Sequence, residues 1–312
     1  MERTVLLMIE RQKKYLLQCQ LPSGTFRMSP HSPSINPYFT NLALLALVSC
    51  GELSAVKNHL DWYLAHVSAD GFVNDYRLED GKEIDTGKAD SEDSYHATYF
   101  TLLAAYLTES GDIPWCIRNR DVLRTLLSAL LSLQQPDGLT WAKRRWKVKY
   151  LMDNCEAYKG LADAAFLFGE IGEKEAARLA HEGALACRRG IAATYDPKRK
   201  TFAVYDRYYP RWTKWYPDAT SQAFPVLYGI IPPQSGEAIQ LYDQLTASFP
   251  CFDTFRTGDL YPWMIMGEFA RLMGDEERVR RMVNTAADLY IFGPRAKYWL
   301  IHEAARFLRL LD

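Results

Sequence analysis

The sequence lacks the features that mark membrane-spanning, exported and disulfide-built proteins. No run approaches the roughly 18 apolar residues of a spanning helix, and the charged first segment has neither the apolar region nor the cleavage site of a secretory signal. The six cysteines are scattered without a CxxC pair, which favours buried thiols in a reducing compartment over disulfides or a zinc site. We therefore expect a cytoplasmic protein with no membrane partner.

Motifs for several common chemistries are also missing. The sequence has no GxGxxG, P-loop, GxSxG or HExxH pattern, so we expect neither a metal nor an organic cofactor. A net charge of −1 over 312 residues gives no reason to expect nucleic acid as a partner. No linker-like or low-complexity tract divides the chain, and we predict a single domain over residues 1–312.

What the sequence does contain is helical periodicity, repeated in six pairs about 50 residues apart. The predicted helices span about 3–18, 37–50, 52–67, 92–109, 115–135, 152–171, 173–194, 217–230, 235–248, 260–273, 276–290 and 296–311. Glycines at 51, 111, 172 and 274 predict tight turns after even-numbered helices, whereas most connections after odd-numbered helices are long. Long loops in a compact domain are usually functional, so we expect the functional residues to lie at the end of the fold where the long loops gather.

Local matches strengthen this pattern. They are LQQPDG at 133–138, DSEDSY at 90–95, DNCEAY at 153–158 and WYPD at 215–218. In these segments and in its hairpin order the chain resembles the six-hairpin glycosidases, and it is loosely similar to the unsaturated glucuronyl hydrolases. The resemblance implies an all-α (α/α)6 toroid with inner and outer helix rings. Terpene cyclases and prenyltransferase subunits share the toroid, so the fold leaves the chemistry open.

Acidic residues cluster where the fourth and sixth predicted helices begin. Asp90 and Asp93 lie in the first cluster, and Asp153 and Glu156 are one turn apart in the second. Acids at these positions can serve as helix caps alone, and an Asp followed by Glu three residues later fits a capping box. In the glucuronyl hydrolases, two aspartates that begin successive inner helices carry the reaction. The resemblance thus implies Asp153 as the proton donor and Asp93 as its helper.

Two loops combine aromatic rings with cations. The loop at 205–218 carries six aromatic residues and three cations before Asp218, a further candidate carboxylate. Flat rings stack on the apolar faces of sugars, which favours a substrate platform. The basic loop at 140–150 is either a solvated surface or a positive wall for uronate, sulfate or phosphate groups.

The sequence therefore predicts a glycoside hydrolase that cleaves an oligo- or polysaccharide, possibly anionic, by carboxylate acid/base catalysis. A catalytically inactive carbohydrate-binding toroid, a sugar epimerase and an isoprenoid enzyme are the alternatives. The oligomeric state stays open. The catalytic candidates are Asp93, Asp153, Glu156 and Asp218, and the candidates for substrate contact are Asp90, Tyr95, His96, Trp141, Trp146, Asn154, Arg207, Arg211, Trp212, Trp215, Tyr216 and Trp263.

Overall fold

The computed structural model describes residues 2–311, mostly as helices joined by loops. The α-helices are α1 Glu2–Gln18, α2 Pro37–Ser49, α3 Leu53–Ala65, α4 Glu92–Ser110, α5 Ile113–Arg118, α6 Arg120–Leu133, α7 Leu151–Glu170, α8 Lys174–Ala193, α9 Phe224–Leu227, α10 Gly236–Ser248, α11 Ile265–Leu272, α12 Glu276–Ala286 and α13 Ile301–Arg309. Two π-helical segments, Trp215–Ala219 and Ala287–Ile291, and two 3-10 segments, Phe252–Thr254 and Ala296–Tyr298, complete the helical structure. None of the described helices is long and apolar enough to cross a bilayer.

Within residues 2–311, five short strands lie in the loops between helices. Strands β1 (Ser34–Ile35), β2 (Tyr76–Glu79) and β3 (Lys82–Asp85) form an antiparallel sheet in that order, with Ile35 opposite Tyr76 and Tyr76 opposite Asp85. Strands β4 (Tyr195–Asp196) and β5 (Thr201–Phe202) form a second antiparallel pair. The first sheet joins the loop before α2 to the loop before α4, and the second lies in the loop after α8.

Six helices close into a ring. Around it, α2 contacts α4, α4 contacts α7, α7 contacts α9, α9 contacts α11, α11 contacts α13, and α13 returns to α2. The outer helices cover this ring, with α1 on α13, α3 on α2 and α4, α6 on α4 and α7, α8 on α7, and α12 on α11. Helix α10 packs on α11 through Tyr242 and Phe269, whose rings are 5.2 Å apart. The predicted all-α (α/α)6 toroid is confirmed.

Burial separates the two rings. Inner helix α4 buries 13 of its 19 residues, because it is covered by both neighbours in the ring and by α3 and α6. Outer helix α8 buries only 7 of its 20 residues, mainly small ones such as Ala180 and Gly183, and turns a charged face to solvent. Apolar periodicity therefore specifies the outer helices more clearly than the inner ones.

The hairpin turns follow the predicted punctuation. Gly111 ends α4 with φ of 64°, and Gly172 follows α7 with φ of 78°, a left-handed conformation that glycine adopts without strain. Several helix predictions were wrong in detail. The tenth helix begins only at Ile265, and the twelfth is a 3-10 segment followed by α13. The fifth helix is broken at Asn119 into α5 and α6, and the eighth is a π-helical segment followed by the short α9.

A similar turn precedes two of the inner helices, α2 and α7. Gln20 donates from Nε2 to the carbonyls of Gly24 and Ala55, both at 3.0 Å. Gln134 repeats the arrangement with Gly138 at 2.8 Å and Gly183 at 2.9 Å. The same side-chain clamp at two places in the ring shows that the repeat seen in the sequence is structural.

The contact between α4 and α7 is the tightest in the ring, and it supplies a first prediction. A Cβ on Gly160 would lie 2.3 Å from Cα of Ala97, whereas one on Gly169 would meet nothing within 4 Å. We expect Gly160→Ala to force the two helices apart and to lower the free energy of unfolding by about 1–3 kcal/mol. Gly169→Ala is the control and should be neutral or stabilising by up to about 1 kcal/mol. Urea denaturation compares the two, and equal stabilities would contradict the assignment of a packing role to Gly160.

Candidate active site at the mouth of the ring

The residues that begin the inner helices meet at one end of the ring. Phe39 of α2 stacks on His302 of α13 with centroids 4.1 Å apart, and Tyr216, before α9, lies 4.9 Å from Trp263, which precedes α11. The first turns of α4 and α7 are joined by side-chain hydrogen bonds described below. This end of the ring is therefore a mouth built from all the inner helices, as the loop lengths predict.

Asp93 and Asp153 are brought together at this mouth by Ser91. The Ser91 hydroxyl lies 2.7 Å from Oδ1 of Asp93 and 2.8 Å from Oδ2 of Asp153. Laid end to end, the 2.7 Å and 2.8 Å contacts limit the separation of the two carboxyl oxygens to 5.5 Å. Since the Ser91 hydroxyl bridges these two oxygens, the two carboxyls lie side by side at the mouth.

Asp93 is surrounded by hydrogen-bond donors. Besides Ser91, it accepts from the Thr140 hydroxyl at 2.5 Å and from the Ser94 backbone N–H at 2.9 Å. Thr140 is fixed in turn by Asn154, whose Oδ1 accepts its backbone N–H at 2.7 Å. Three donors on one fully buried carboxyl favour its ionised form, because an ionised carboxylate accepts hydrogen bonds only.

The two carboxyls differ in their tendency to hold a proton. Burial raises the pKa of Asp93 to about 6, while the bonds from Thr140 and Ser91 oppose that rise. Burial, followed by the charges of Asp93 and Glu156, raises the pKa of Asp153 well above its usual value. A pair whose environments push their pKa values apart has the properties of a proton donor and an ionised partner.

Glu156 lies one helical turn deeper than Asp153. It accepts hydrogen bonds from Tyr38 at 2.8 Å and Tyr228 at 3.2 Å, and burial raises its pKa to about 7. It lines a cavity of about 210 Å³ to which every helix of the inner ring contributes. The lining residues are Leu42, Leu45, Thr98, Thr101, Glu156, Lys159, Leu227, Tyr228, Ile265, Glu268, Arg306 and Arg309. Glu156 thus belongs to the axis of the ring, below the Asp93–Asp153 pair.

Asp75 is a mouth carboxylate that the sequence analysis missed. Its Oδ1 accepts from Asn36 at 2.9 Å and from the Tyr95 hydroxyl at 2.7 Å, and burial raises its pKa to about 6. Asp75 precedes β2 within a long loop, so a search confined to helix starts could not find it. Its Asn-Asp sequence after a glycine turn gives no signal beyond loop chemistry. Tyr95, a predicted contact residue, serves this carboxyl and donates no bond to the Asp93–Asp153 pair.

Asp75 and Asp90 line a groove of about 740 Å³ beside the pair. Arg144 spans its wall: the guanidinium bonds both Asp70 and Glu92 and lies 3.7 Å above the Phe72 ring. Lys88, Lys143 and Arg145 complete the cationic part of the lining. Acidic and basic groups alternate in this groove, so it has the character of a polar surface rather than a purely positive wall.

Aromatic rings flank the pair. Tyr216 is 51% exposed, which leaves its ring available beside Trp263, and Trp263 is held by a 2.8 Å bond to Asp259. Trp263 also has a φ of 51°, an outlier for so large a side chain and typical of functional positions. On the other loop, Trp146 is 53% exposed and donates to the Tyr150 hydroxyl at 3.1 Å.

The remaining predicted contact residues divide by exposure. Arg207 and Arg211 are exposed in the loop before the first π-helical segment, and Trp212 is partly buried against the core. Trp141 is also partly buried, and its ring lies 4.5 Å from the Lys147 ammonium. These side chains are on the loops of the mouth, but no hydrogen bond joins them to the carboxyl pair among the described residues.

Four predicted site residues are buried and contact other parts of the protein instead of the mouth. Two of them are rings, His96 and Trp215. His96 is fully buried, with Nδ1 2.5 Å from the Glu92 carbonyl and Nε2 2.6 Å from the Gly71 carbonyl, which leaves no ring nitrogen for a substrate. Trp215 is buried against Phe249, at a centroid distance of 5.1 Å. The predicted substrate contacts of these two residues are therefore corrected to packing roles.

Asp218 and Asn154 are also buried. Asp218 accepts from the Tyr208 hydroxyl at 2.6 Å and from the Arg211 backbone N–H at 2.8 Å, so it fastens the loop that precedes it. Asn154, as described above, holds Thr140 against Asp93. Asn154 is therefore close to the carboxyl pair, and its amide oxygen and nitrogen are both engaged in hydrogen bonds within the protein.

Comparisons with known proteins support this reading of the fold. No family model matches the chain, and no curated protein matches it. Among solved structures, a wild-type glycosidase is similar over 98% of this chain and 95% of its own, with a TM-score of 0.75 and 11% identity. A metal-independent α-mannosidase from Streptococcus pneumoniae, in a non-productive complex with α-1,6-mannobiose, covers 97% and 92%, with a TM-score of 0.74 and 12% identity.

A rhamnosidase from Klebsiella oxytoca with rhamnose bound is similar over 89% of this chain and 54% of its own, with a TM-score of 0.65 and 13% identity. The chain has the toroidal fold of the six-hairpin glycosidases. Identities this low establish the fold alone. No group of three His, Cys, Asp or Glu side chains is arranged to hold a metal ion within residues 2–311.

The raised pKa values make stability depend on pH. An acid whose pKa is raised by folding stabilises the protein fully below its unfolded pKa, and that stability is lost as the pH rises through the folded value. For Asp93 and Glu156 the loss spans the range from about 4 to about 7. We expect the protein to be more stable at pH 5 than at pH 8, and Asp153→Asn to be more stable than the wild type at pH 8 by about 1–2 kcal/mol.

Urea denaturation at the two pH values tests this expectation. Asp121→Asn, which changes an exposed acid on α6, is the matched control and should leave the difference between the two pH values unchanged. The buried His59 and His96, whose pKa values are lowered by burial, oppose this trend, so the decisive comparison is with the variant: an unchanged difference between pH 5 and pH 8 in Asp153→Asn would contradict the assignment of a raised pKa to Asp153.

Proposed function

We propose that the protein is a glycoside hydrolase that acts on an oligo- or polysaccharide. The observation that carries the proposal is the hydrogen-bonded Asp93–Ser91–Asp153 chain at the mouth of the ring, in which Asp93 is buried and Ser91 and Asp153 are partly exposed. Solved structures with the same fold include glycosidases, a mannosidase and a rhamnosidase, which supports the proposal without specifying the sugar.

In the proposed reaction, Asp153 donates its proton to the substrate. Burial and the neighbouring charge of Asp93 raise the pKa of Asp153 well above its usual value and so favour its protonated form, while the donors around Asp93 favour the ionised form of that carboxyl. Because the two carboxyls lie side by side, they do not form the usual pair that flanks the scissile bond. Once ionised, Asp153 can accept a proton from the attacking water, which restores its resting form.

Aromatic side chains would place the sugar. The Tyr216–Trp263 pair offers two rings next to the carboxyls, and the charges of Asp153 and Asp90 contribute to raising the pKa of Tyr216, after the main effect of partial burial. Ring faces stack on the C–H faces of sugars and exclude water, while acids and amides nearby bind hydroxyl groups. The groove beside Asp75 and Asp90 extends the site far enough for more than one sugar unit.

The alternative activities find less support. An epimerase requires paired histidines, but both nitrogens of His96 are occupied by backbone carbonyls. An isoprenoid enzyme requires an apolar cavity, whereas the groove and the axial cavity are lined by many charged groups. An inactive binding protein would not require an acid with a raised pKa at the mouth.

The activity itself is tested with Asp153→Asn. A panel of neutral and uronate-containing oligosaccharides is incubated with the wild type, and the reducing ends that are released are measured. We expect hydrolysis of at least one member, and a loss of about 10²–10⁴-fold in kcat for Asp153→Asn, the usual contribution of a general acid.

Asp121→Asn is again the control and should retain full activity. Isothermal titration calorimetry should show that Asp153→Asn still binds the substrate, because the amide keeps the shape of the protonated acid. Saccharide binding by the wild type without turnover of any member would favour the inactive binding toroid.

Substrate stacking is tested with Tyr216→Ala. We expect a rise in KM equivalent to about 0.5–1.5 kcal/mol, the typical contribution of an aromatic contact, with little change in kcat. Phe166→Ala, which removes an aromatic ring 45% exposed on α7 outside the mouth, should change neither constant. An unchanged KM for Tyr216→Ala would remove this ring from the substrate site.

A further inference from the structure

Ser91 occupies a helix-cap position without capping the helix. It is the N-cap residue of α4 and has the extended backbone of a cap, with φ of −149° and ψ of 104°, yet its side chain makes no cap hydrogen bond. Ser235, at the same position of α10, caps in the normal way by accepting the Ala238 N–H at 3.2 Å. The Ser91 hydroxyl is therefore free from the structural task that usually accounts for serine at this position.

The contacts of the Ser91 hydroxyl indicate how many protons the two carboxyls hold. A serine hydroxyl has one hydrogen to donate, but Ser91 is within hydrogen-bond distance of two carboxyl oxygens, at 2.7 and 2.8 Å. If both carboxyls were ionised, one of these two contacts would bring a lone pair of the Ser91 oxygen against a lone pair of a carboxylate oxygen. Both contacts are hydrogen bonds when one carboxyl is protonated and donates to the Ser91 oxygen, while the hydroxyl donates to the other.

The surroundings decide which carboxyl carries the proton. Asp93 already receives hydrogen bonds from Thr140 and the Ser94 backbone, whereas no donor besides Ser91 reaches Asp153 among the described residues. The resting order is thus Asp153 O–H to Ser91 and Ser91 O–H to Asp93.

We propose that Ser91 is a positioning residue that serves Asp153 in both of its states, accepting from the acid before proton donation and donating to the carboxylate afterwards. This inference rests on the proposed function. When Asp153 releases its proton to the substrate oxygen, the Ser91 hydroxyl exchanges its hydrogen bond to Asp93 for one to Asp153, and no covalent bond of Ser91 is formed or broken. Asp93 keeps its bonds from Thr140 and Ser94 during this exchange, so its negative charge remains stabilised.

Several titratable groups act on Asp153 besides Asp93. They are Asp90 from the loop before α4, Glu156 on α7 itself, Tyr38 from α2 and Tyr216 from the segment before α9. The charges of Asp90 and Glu156 favour the protonated form of Asp153, whereas Tyr38 and Tyr216 are neutral, and none of these groups donates a hydrogen bond to Asp153. Ser91 makes two hydrogen bonds when the pair holds one proton and only one when both carboxyls are ionised, so loss of Ser91 should narrow the pH range in which the pair holds a single proton.

The test is the pH dependence of kcat/KM for the wild type, Ser91→Ala and Ser91→Thr. We expect the basic limb of Ser91→Ala to move down by roughly one pH unit, because the state with one proton on the pair loses two hydrogen bonds to Ser91, whereas the doubly ionised state loses only one. Ser91→Thr keeps the hydroxyl and should restore the limb. Ser235→Ala, which removes a true cap, should lower stability without moving either limb.

A uniform loss of kcat/KM at every pH, with unmoved limbs, would overturn the proposal. Infrared spectroscopy provides a readout that requires no activity: isotope-labelled aspartate identifies a protonated Asp carboxyl that Asp153→Asn removes. That band should titrate at lower pH in Ser91→Ala than in the wild type. If the band shifts but no saccharide is hydrolysed, the proposed function fails and the role of Ser91 stands; if the band does not shift, the role of Ser91 is wrong.

Discussion

The close approach of α4 to α7 is the contact on which the site depends. Gly160 brings the backbone of α7 against Ala97 of α4, at a distance that no Cβ could share. Each helix carries one member of the carboxyl pair in its first turn, so the packing of the two helices also fixes the distance between Asp93 and Asp153. The same contact therefore contributes to the stability of the ring and to the geometry of the proposed chemistry.

The mouth is maintained at a cost in stability. Asp93 and Glu156 are fully or nearly fully buried carboxyls, and burial works against their ionisation. Hydrogen bonds from Ser91, Thr140 and Tyr38 offset part of that cost. Ser91 reaches Asp93 from two residues away, whereas Thr140 and Tyr38 come from other hairpins and reach the acids only through the packing of the inner helices.

Much of the architecture could be predicted because it is encoded locally. Gly111 and Gly172 mark the hairpin turns, and the long loops mark the functional end. The first turns of the fourth and sixth predicted helices supplied Asp93 and Asp153. What failed depends on contacts between distant segments: Asp75 becomes a mouth residue only because Asn36 and Tyr95 reach it.

Buried aromatic and imidazole rings misled the prediction for a similar reason. Trp215 sits in the same loop as Tyr216, and the sequence cannot tell which ring faces the mouth. The structure turns Trp215 toward Phe249 and leaves Tyr216 exposed. His96 has the helical spacing of a site residue, but its neighbours in space are two backbone carbonyls.

The axial cavity below Glu156 gives the molecule a hollow centre. Arg306 and Glu268 meet there at 3.0 Å, so the middle of the ring is polar and the apolar core lies in the shell between the two rings of helices. The apolar contacts that stabilise the fold therefore lie between the inner and the outer helices and not along the axis. Side chains that point to the axis can therefore change identity with little effect on the packing that holds the ring closed, which lets the centre diversify while the wall stays the same.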